Sequence, residues 1–248
     1  MRQEHLQIEP GDVGRYVLLP GAPGRCEKIA AHFNYPHQVA YHREYRTITG
    51  TLLGEKVSVA STGIGNPSAA IAIEELINVG ADTLIRVGTS GGMQPETKPG
   101  DLAIMKASIR DEGTTKHYMP AAFPALAHLD VVVALKEAAH ALSCPFHVGI
   151  SHSKDSFYGQ INPERMPVSD MLRERWKAWV QGGTLCAEME SATLFVLGAI
   201  YRLRTGSITM VAMNQAHPEW GVVTDVEPMI HTAVKAVETL IIKDRMKG

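Results

Sequence analysis

An arginine set inside an apolar run is the first residue of this chain that demands a partner. In Thr83-Leu-Ile-Arg-Val-Gly-Thr-Ser-Gly-Gly92 the β-favouring residues around Arg86 predict a buried strand. A guanidinium there is costly unless an anion meets it. The residues that follow, Gly88, Gly91 and Gly92 with Thr89 and Ser90, predict a loop that turns N–H and hydroxyl donors towards an oxyanion. An arginine paired with an internal carboxylate beside an ordinary turn fits the same letters. A second cation stands at Pro20-Gly-Ala-Pro-Gly-Arg25, a turn between a predicted strand, Tyr16-Val-Leu-Leu19, and a helix beginning at Cys26. Such a turn exposes N–H groups at the positive end of the helix dipole, where charge economy prefers an acid to Arg25. A bound anion resolves that misplacement.

Further along, Phe157 and Tyr158 stand beside Gln160 in a loop-rich stretch, Lys154 to Arg165. A ring face and an amide with both donor and acceptor suit a heterocycle, although the same aromatics could anchor the loop on the core. Glu188 and Glu190 flank the entry to an apolar helix, Ala192 to Tyr201. Carboxylates at that place either cap the helix or accept the two O–H groups of a vicinal diol. Arg43 and Glu44, within His42-Arg-Glu-Tyr45, read as a surface ion pair of little worth, and His5 as a solvated histidine on a polar leader.

The elements that must position these groups follow from the pattern. The 248 residues are 45% hydrophobic and 20% charged with net charge −2, enough for one large α/β domain, with no basic field for a nucleic-acid polymer or an anionic membrane. Three widely spaced cysteines, Cys26, Cys144 and Cys186, lack a CxxC pair, which disfavours disulfides and a zinc site. No run approaches a membrane span and no signal peptide is visible, so a cytoplasmic protein is expected. A hairpin is predicted over Arg46 to Leu52 and Lys56 to Ala60, and strands over Pro99 to Met105, Phe146 to Ile150 and Ser207 to Met213. Helices are predicted over Ser68 to Val79, with Asn66 as N-cap, and over Leu129 to Leu142, Ser169 to Gln181 and the C-terminal stretch around Ile230 to Ile241. Ala107 to Pro124 reads as a polar connection. The turn Gly63-Ile-Gly-Asn-Pro67 lacks the GxGxxG spacing and following acid of a dinucleotide fold.

Together these groups offer places for phosphate, base and ribose. The stretches Pro20 to Ala30, His42 to Tyr45, Ser61 to Leu76, Ile85 to Gly100, Asp155 to Gln160 and Glu188 to Leu194 resemble the uridine phosphorylase branch of the hexameric nucleoside phosphorylase family. The likeness covers nearly the whole chain. It implies a single α/β domain, residues 1–248, with a mixed, barrel-like central sheet flanked by helices. It also implies an enzyme, a pentosyltransferase that uses inorganic phosphate to convert uridine to uracil and ribose 1-phosphate in pyrimidine salvage.

Residue by residue, the resemblance puts phosphate on Gly21, Arg25, Arg86 and Thr89, with Arg43 reaching in from a neighbouring subunit. Met189 and Glu190 would hold the ribose with Glu188 close by, and His5 would cross a dimer interface to the 5′ hydroxyl. Phe157 would stack on the base and Gln160 would read it, with Arg86, Gln160 and Glu190 carrying the catalysis. No cofactor is implied beyond a monovalent cation, K+, between subunits at Glu44, Ile64 and Ser68. The implied assembly is a homohexamer built from dimers with shared sites.

Three positions depart from the family pattern. Ala22 stands where an aspartate is usual, and Gln160 is followed by Ile161 and Asn162, the next arginine being Arg165 as a candidate base contact. Asn214 stands where purine-specific relatives carry an aspartic acid. The last favours pyrimidines. The rival readings are a purine nucleoside phosphorylase, a hydrolytic nucleosidase, and a catalytically silent nucleoside-binding protein of the same fold.

Overall fold

A computed structural model describes residues 1–247. The chain begins with strand β1 (Tyr16–Leu19), helix α1 (Pro23–Ala30), strands β2 (Asn34–His42), β3 (Tyr45–Leu52) and β4 (Glu55–Ala60), helix α2 (Asn66–Asn78) and strand β5 (Thr83–Gly92). It continues through β6 (Leu102–Asp111), β7 (Ala125–Leu126), α3 (Leu129–Ala141), β8 (Phe146–Lys154), α4 (Phe157–Ile161) and α5 (Ser169–Gln181). Last come β9 (Cys186–Glu188), α6 (Ser191–Tyr201), β10 (Arg204–Asn214) and α7 (Glu227–Lys247).

All ten strands share one mixed sheet. Strand β10 pairs with β6 on one side and with β5 on the other, so β5, β10, β6, β8 and β9 close on themselves into a barrel. From β5 the sheet continues outward through β1, β4, β3 and β2. The closed part has no free edge.

Alternation along the inner strands explains why both faces are covered. Tyr16 and Leu18 of β1, with Ile85 and Val87 of β5, pack with α1, α3 and α7. Val17, Leu19 and Leu84 pack on the opposite side with α2 and α6. Period-two side chains therefore feed two cores, as expected for strands buried on both faces. Arg86 falls on the Leu84 side, one strand position short of the apolar Val87, and is carried towards the N-terminus of α6.

Several elements differ from the sequence reading. The stretch Gly88–Gly92 is strand, paired with Thr209–Asn214 of β10 and, at Gly91 and Gly92, with Ala187 and Cys186 of β9. Gly88, Thr89 and Ser90 pair with β10 alone and Gly91 and Gly92 lie between β10 and β9, so the stretch is a strand and not a loop; glycines here let the barrel strand bend and bring backbones close. Gly88 also makes room for Arg86, since a Cβ there would stand 3.0 Å from Nη2. Strand β2 was not foreseen because its residues are mostly exposed and lack alternation; it is held by antiparallel pairing with β3. Asn66 is not an N-cap. Gly65, at φ 95°, takes that position, and Asn66 is buried in the first turn accepting from Thr193 Oγ1 at 2.8 Å. Strands β6 and β8 run on together to Asp111 and Lys154 because they pair in parallel over their whole length, shortening the predicted connection. The stretch after Lys154 contains helix α4 and a 3-10 turn, Pro163–Arg165.

Candidate active site

Where the strands of the barrel end, a cavity of about 770 Å³ is lined by Gly21, Ala22 and Arg25, by Glu44, Gly63, Ile64 and Ser68, and by Arg86 and Thr89. Lys154, Phe157, Gln160, Glu188, Met189, Glu190 and Gln215 complete its wall. The carboxyl ends of parallel strands are the usual ligand-binding edge of an α/β sheet. Two strand-to-helix turns lie side by side there: Thr62 N–H donates to Pro20 O at 2.9 Å and Gly63 N–H to Gly21 O at 3.1 Å. Gly63, at φ 70°, cannot carry a side chain, since a Cβ would come within 2.8 Å of both Glu44 Cγ and Ser68 Oγ.

Arg86 is buried, and its Nη2 meets Glu190 Oε2. Its Nε stands 3.7 Å from Glu188 Oε2, too far for a hydrogen bond, and among the described residues Nε and Nη1 find no hydrogen-bond partner. The alternative of an arginine paired internally is thus realised on one edge of the guanidinium and leaves the other edge free. Arg25 lies in the same cavity, its Nη1 donating to Val87 O at 3.2 Å. Burial, and then the like charge of Arg86, lower its pKa below the ordinary arginine value. Both effects are relieved by an anion placed between the two guanidinium groups. Ala22 is the N-cap of α1 with no side-chain cap, and no acid occupies the first turn.

The two glutamates divide their tasks. Glu188 Oε2 accepts the N–H groups of Glu190 and Ser191, both at 2.8 Å, so it caps α6. Glu190 is held from both sides, by Arg86 and by the N–H of Gly65, which donates to Oε1 at 2.7 Å. Glu190 also forms part of the cavity lining. Burial pushes the Glu190 carboxyl above the ordinary carboxylate range, with Arg86 opposing and Glu188 reinforcing the shift. At the far end, Phe157 is half exposed and makes an edge contact with Tyr158, and Gln160 Nε2 donates to Gln215 Oε1 at 2.7 Å. The carbonyl oxygen of Gln160 is buried without a partner among the described residues.

Three residues of the expected set lie outside the lining. Arg43 is exposed at the two-residue turn between β2 and β3, in a left-handed conformation at φ 55°. His5 is no loose end: its N–H and Nδ1 reach Glu75 Oε1 at 2.9 and 2.7 Å, and its carbonyl accepts from His42. Arg165 sits exposed in the turn after α4. Glu44 and Ser68 are joined, Ser68 Oγ donating to Glu44 Oε1 at 3.0 Å, and Ile64 is exposed at the rim. Asn214 is buried, giving its amide to the carbonyls of Gln94 and Thr97 and accepting from Ala216 N–H. Sequence reasoning overlooked Lys154, Gln215 and the Gly65 N–H as parts of the lining or its supports. A lysine directly after the Phe146–Ser153 strand residues was the signal available.

The arrangement finds its counterpart among known proteins. A uridine phosphorylase from Treponema pallidum is 50% identical over 244 residues, 97% of this chain and 95% of that protein. A uridine phosphorylase from Thermococcus kodakarensis is 45% identical over 99% of this chain and 89% of its own length. A guanosine phosphorylase from Halorubrum lacusprofundi is 37% identical over 86% of this chain and 84% of its own. The family model of the phosphorylase superfamily matches residues 15–243, every strand of the barrel and the whole lining of the cavity included, and the chain belongs to that superfamily.

Proposed function

We propose that this chain is a pentosyltransferase that cleaves uridine with inorganic phosphate, giving uracil and ribose 1-phosphate. The observation that carries the reading is the free guanidinium edge of Arg86 beside a Glu190 fixed by Gly65 N–H and by Arg86 itself. Phosphate belongs with Gly21, Arg25, Arg86 and Thr89, where its charge offsets two buried cations. The ribose belongs with Met189 and Glu190, whose carboxylate accepts the 2′ and 3′ hydroxyls, while Glu188 fixes the backbone that presents it. The base belongs at Phe157 and Gln160.

A phosphate oxygen attacks C1′ as the C1′–N1 bond breaks, and the bonding pair departs on the pyrimidine, spreading onto its carbonyl oxygens. The sugar passes through an oxocarbenium-like state between two anions. The protein aligns the reactants and stabilises charge as it develops. No covalent intermediate is required.

Arg43 and His5 lie outside the lining and belong to a neighbouring subunit's site, which makes the active unit at least a dimer and, by family likeness, a hexamer built from dimers. The Glu44, Ile64 and Ser68 group would hold a monovalent cation such as K+ where subunits meet. Hydrogen bonds to Tyr45 OH, Glu44 Oε1 and Thr62 O keep Ser68 in place, and the Glu44 carboxyl is held below its usual range by a backbone N–H and by Ser68. Pyrimidine salvage in the cytoplasm is the corresponding role; among the described residues no helix is long and apolar enough to cross a membrane.

The guanosine phosphorylase relative keeps a purine substrate in view. Asn214 argues against it, because its amide is spent inside the fold and it offers no acid to protonate a purine ring. Turnover of uridine against inosine and guanosine at saturating phosphate tests the choice: uridine is preferred, and a preference for either purine nucleoside would replace this reading.

A further inference from the structure

His32, Glu227 and His231 gather where the end of α1 meets the start of α7, and ligand atoms of all three lie within 4.8 Å of one another. None of them lines the cavity. Glu227 and His231 stand one helical turn apart, so both project from the same face of α7. His32 follows α1 in a closed turn, its N–H donating to Ile29 O at 3.1 Å and that of Phe33 to Ala30 O at 2.9 Å. The backbone beneath is packed: Ile29, Ala30 and Phe33 on one side, and Met229, Ile230 and Ala233 on the other, belong to one apolar core. Three donors are thus mounted on elements that the core holds together.

The contacts among the three side chains are incomplete. His32 Nε2 stands 3.8 Å from Glu227 Oε2, beyond hydrogen-bond reach, and the two imidazoles meet edge to face with centroids 4.5 Å apart. Among the described residues no hydrogen bond holds either ring or the carboxylate; Glu227 is fixed through its backbone N–H, which donates to Asp225 Oδ1 at 3.0 Å. The gap is close to the separation of about 3–4 Å between two atoms that share an ion at roughly 2.0–2.2 Å. Two imidazoles and one carboxylate suit zinc, or a neighbour such as cobalt or nickel, and not magnesium or calcium, which take oxygen ligands. Cysteine spacing could not reveal such a set, because it uses no thiolate.

We propose that His32, Glu227 and His231 form a site for a divalent transition metal of the zinc class, completed by solvent, that clips the start of α7 to the end of α1. The exposed His231 ring turns to bring a nitrogen onto the ion, and both imidazoles bind as neutral donors. The clip acts on stability and not on the reaction. Helix α1 carries Arg25 at its other end, and α7 follows the segment that leads away from Gln215, so the ion joins two elements that reach the cavity wall from a distance. This holds whether or not the chain cleaves uridine.

The test titrates zinc chloride into the metal-stripped full chain by calorimetry, with the melting temperature read alongside, for wild type, His231→Ala and Glu227→Gln. Both variants fold, since His231 is exposed and glutamine keeps the shape of Glu227. Wild type takes up zinc at this site and melts higher with it, because a ligand that binds only the folded state stabilises that state. Each variant loses at least the roughly 10–100-fold in zinc affinity that removing an outer-shell partner costs, and its gain in melting temperature shrinks accordingly. Magnesium chloride leaves all three chains unchanged. Equal zinc affinity in wild type and either variant would put the ion on other histidines and overturn the site. So would an equal response to magnesium, or no uptake of zinc by wild type at micromolar concentration.

Discussion

Arg86 and Glu190 neutralise one another in the floor of the cavity, yet the pair is not saturated: Nε and Nη1 of the guanidinium are buried without a hydrogen-bond partner among the described residues, and both residues line the cavity. One ion pair thereby presents a cationic face and an anionic face to two different parts of a substrate. Because a desolvated pair is costly to break from one side, the two residues also fix each other's direction. In the proposed reaction, the phosphate and the sugar diol are positioned by this single contact.

Replacing Arg86 with glutamine removes the cationic face. The expected result is a loss on the order of 10²–10³ in kcat/KM for phosphate, with calorimetric affinity for uracil unchanged. An unchanged phosphate titration would remove Arg86 from the anion site. Arg86→Gln also leaves Glu190 buried alone, so a lower melting temperature should accompany the kinetic loss.

Glu190 sets a pH limb. Its pKa is raised by burial, so on acidification the carboxyl protonates before an ordinary glutamate would, losing one acceptor and the charge that faces Arg86. The kcat/KM for uridine should therefore fall on the acid side, beginning above the ordinary carboxylate range, and Glu190→Gln should be low throughout and lack that limb. The same variant should narrow the preference for uridine over 2′-deoxyuridine, by roughly 10- to 150-fold for one charge-assisted hydrogen bond of about 1.5–3 kcal/mol. Retention of the full preference would place the diol elsewhere.

Away from the cavity, Asp244 ties the C-terminal helix to the sheet. It accepts from Tyr16 OH at 2.6 Å and from Arg204 Nη1 and Nη2 at 2.8 and 2.7 Å. Burial raises its pKa, but the hydrogen bonds from Arg204 and Tyr16 outweigh burial and the net shift is downward. A depressed carboxyl contributes stability that is complete above the unfolded value, about 3.9, and is lost as pH falls through the folded one. Asp244→Asn should cost about 1–2 kcal/mol near neutral pH, seen as a lower melting temperature. The difference should close only below the unfolded range; a difference independent of pH down to strong acid would show that charge is not the cause.

The proposed sharing of sites between two chains makes a prediction of its own. An Arg43→Ala subunit and an Arg86→Ala subunit are each inactive when alone, but a mixed dimer contains one site with its own Arg86 and the other chain's Arg43. With random pairing, about a quarter of all sites are restored by this symmetry. Activity regained on mixing, after dissociation and reassembly, is the readout; none would confine each site to one chain.

Much of this was legible in the letters, and the failures share a cause. Helices with strong apolar periodicity, such as Ser169–Gln181, have the bounds that the pattern predicts. Arg25, Phe157, Gln160 and Glu190 stand in or beside the first turns of α1, α4 and α6, and Arg86 reaches the same cavity from within β5. What the sequence conceals is pairing between distant segments. Gly88–Gly92 looks like a loop until β10 and β9 are beside it, and the exposed β2 has no pattern without β3. His5 reads as a free leader residue because Glu75 lies 70 positions away.

The central claim is that phosphate, and not water, breaks the glycosidic bond. Uracil release from uridine by the purified chain, followed with and without phosphate, tests it most directly. The account predicts release only when phosphate is present, with one ribose 1-phosphate formed for each uracil. Uracil appearing at the same rate in phosphate-free buffer, with free ribose as the second product, would contradict it.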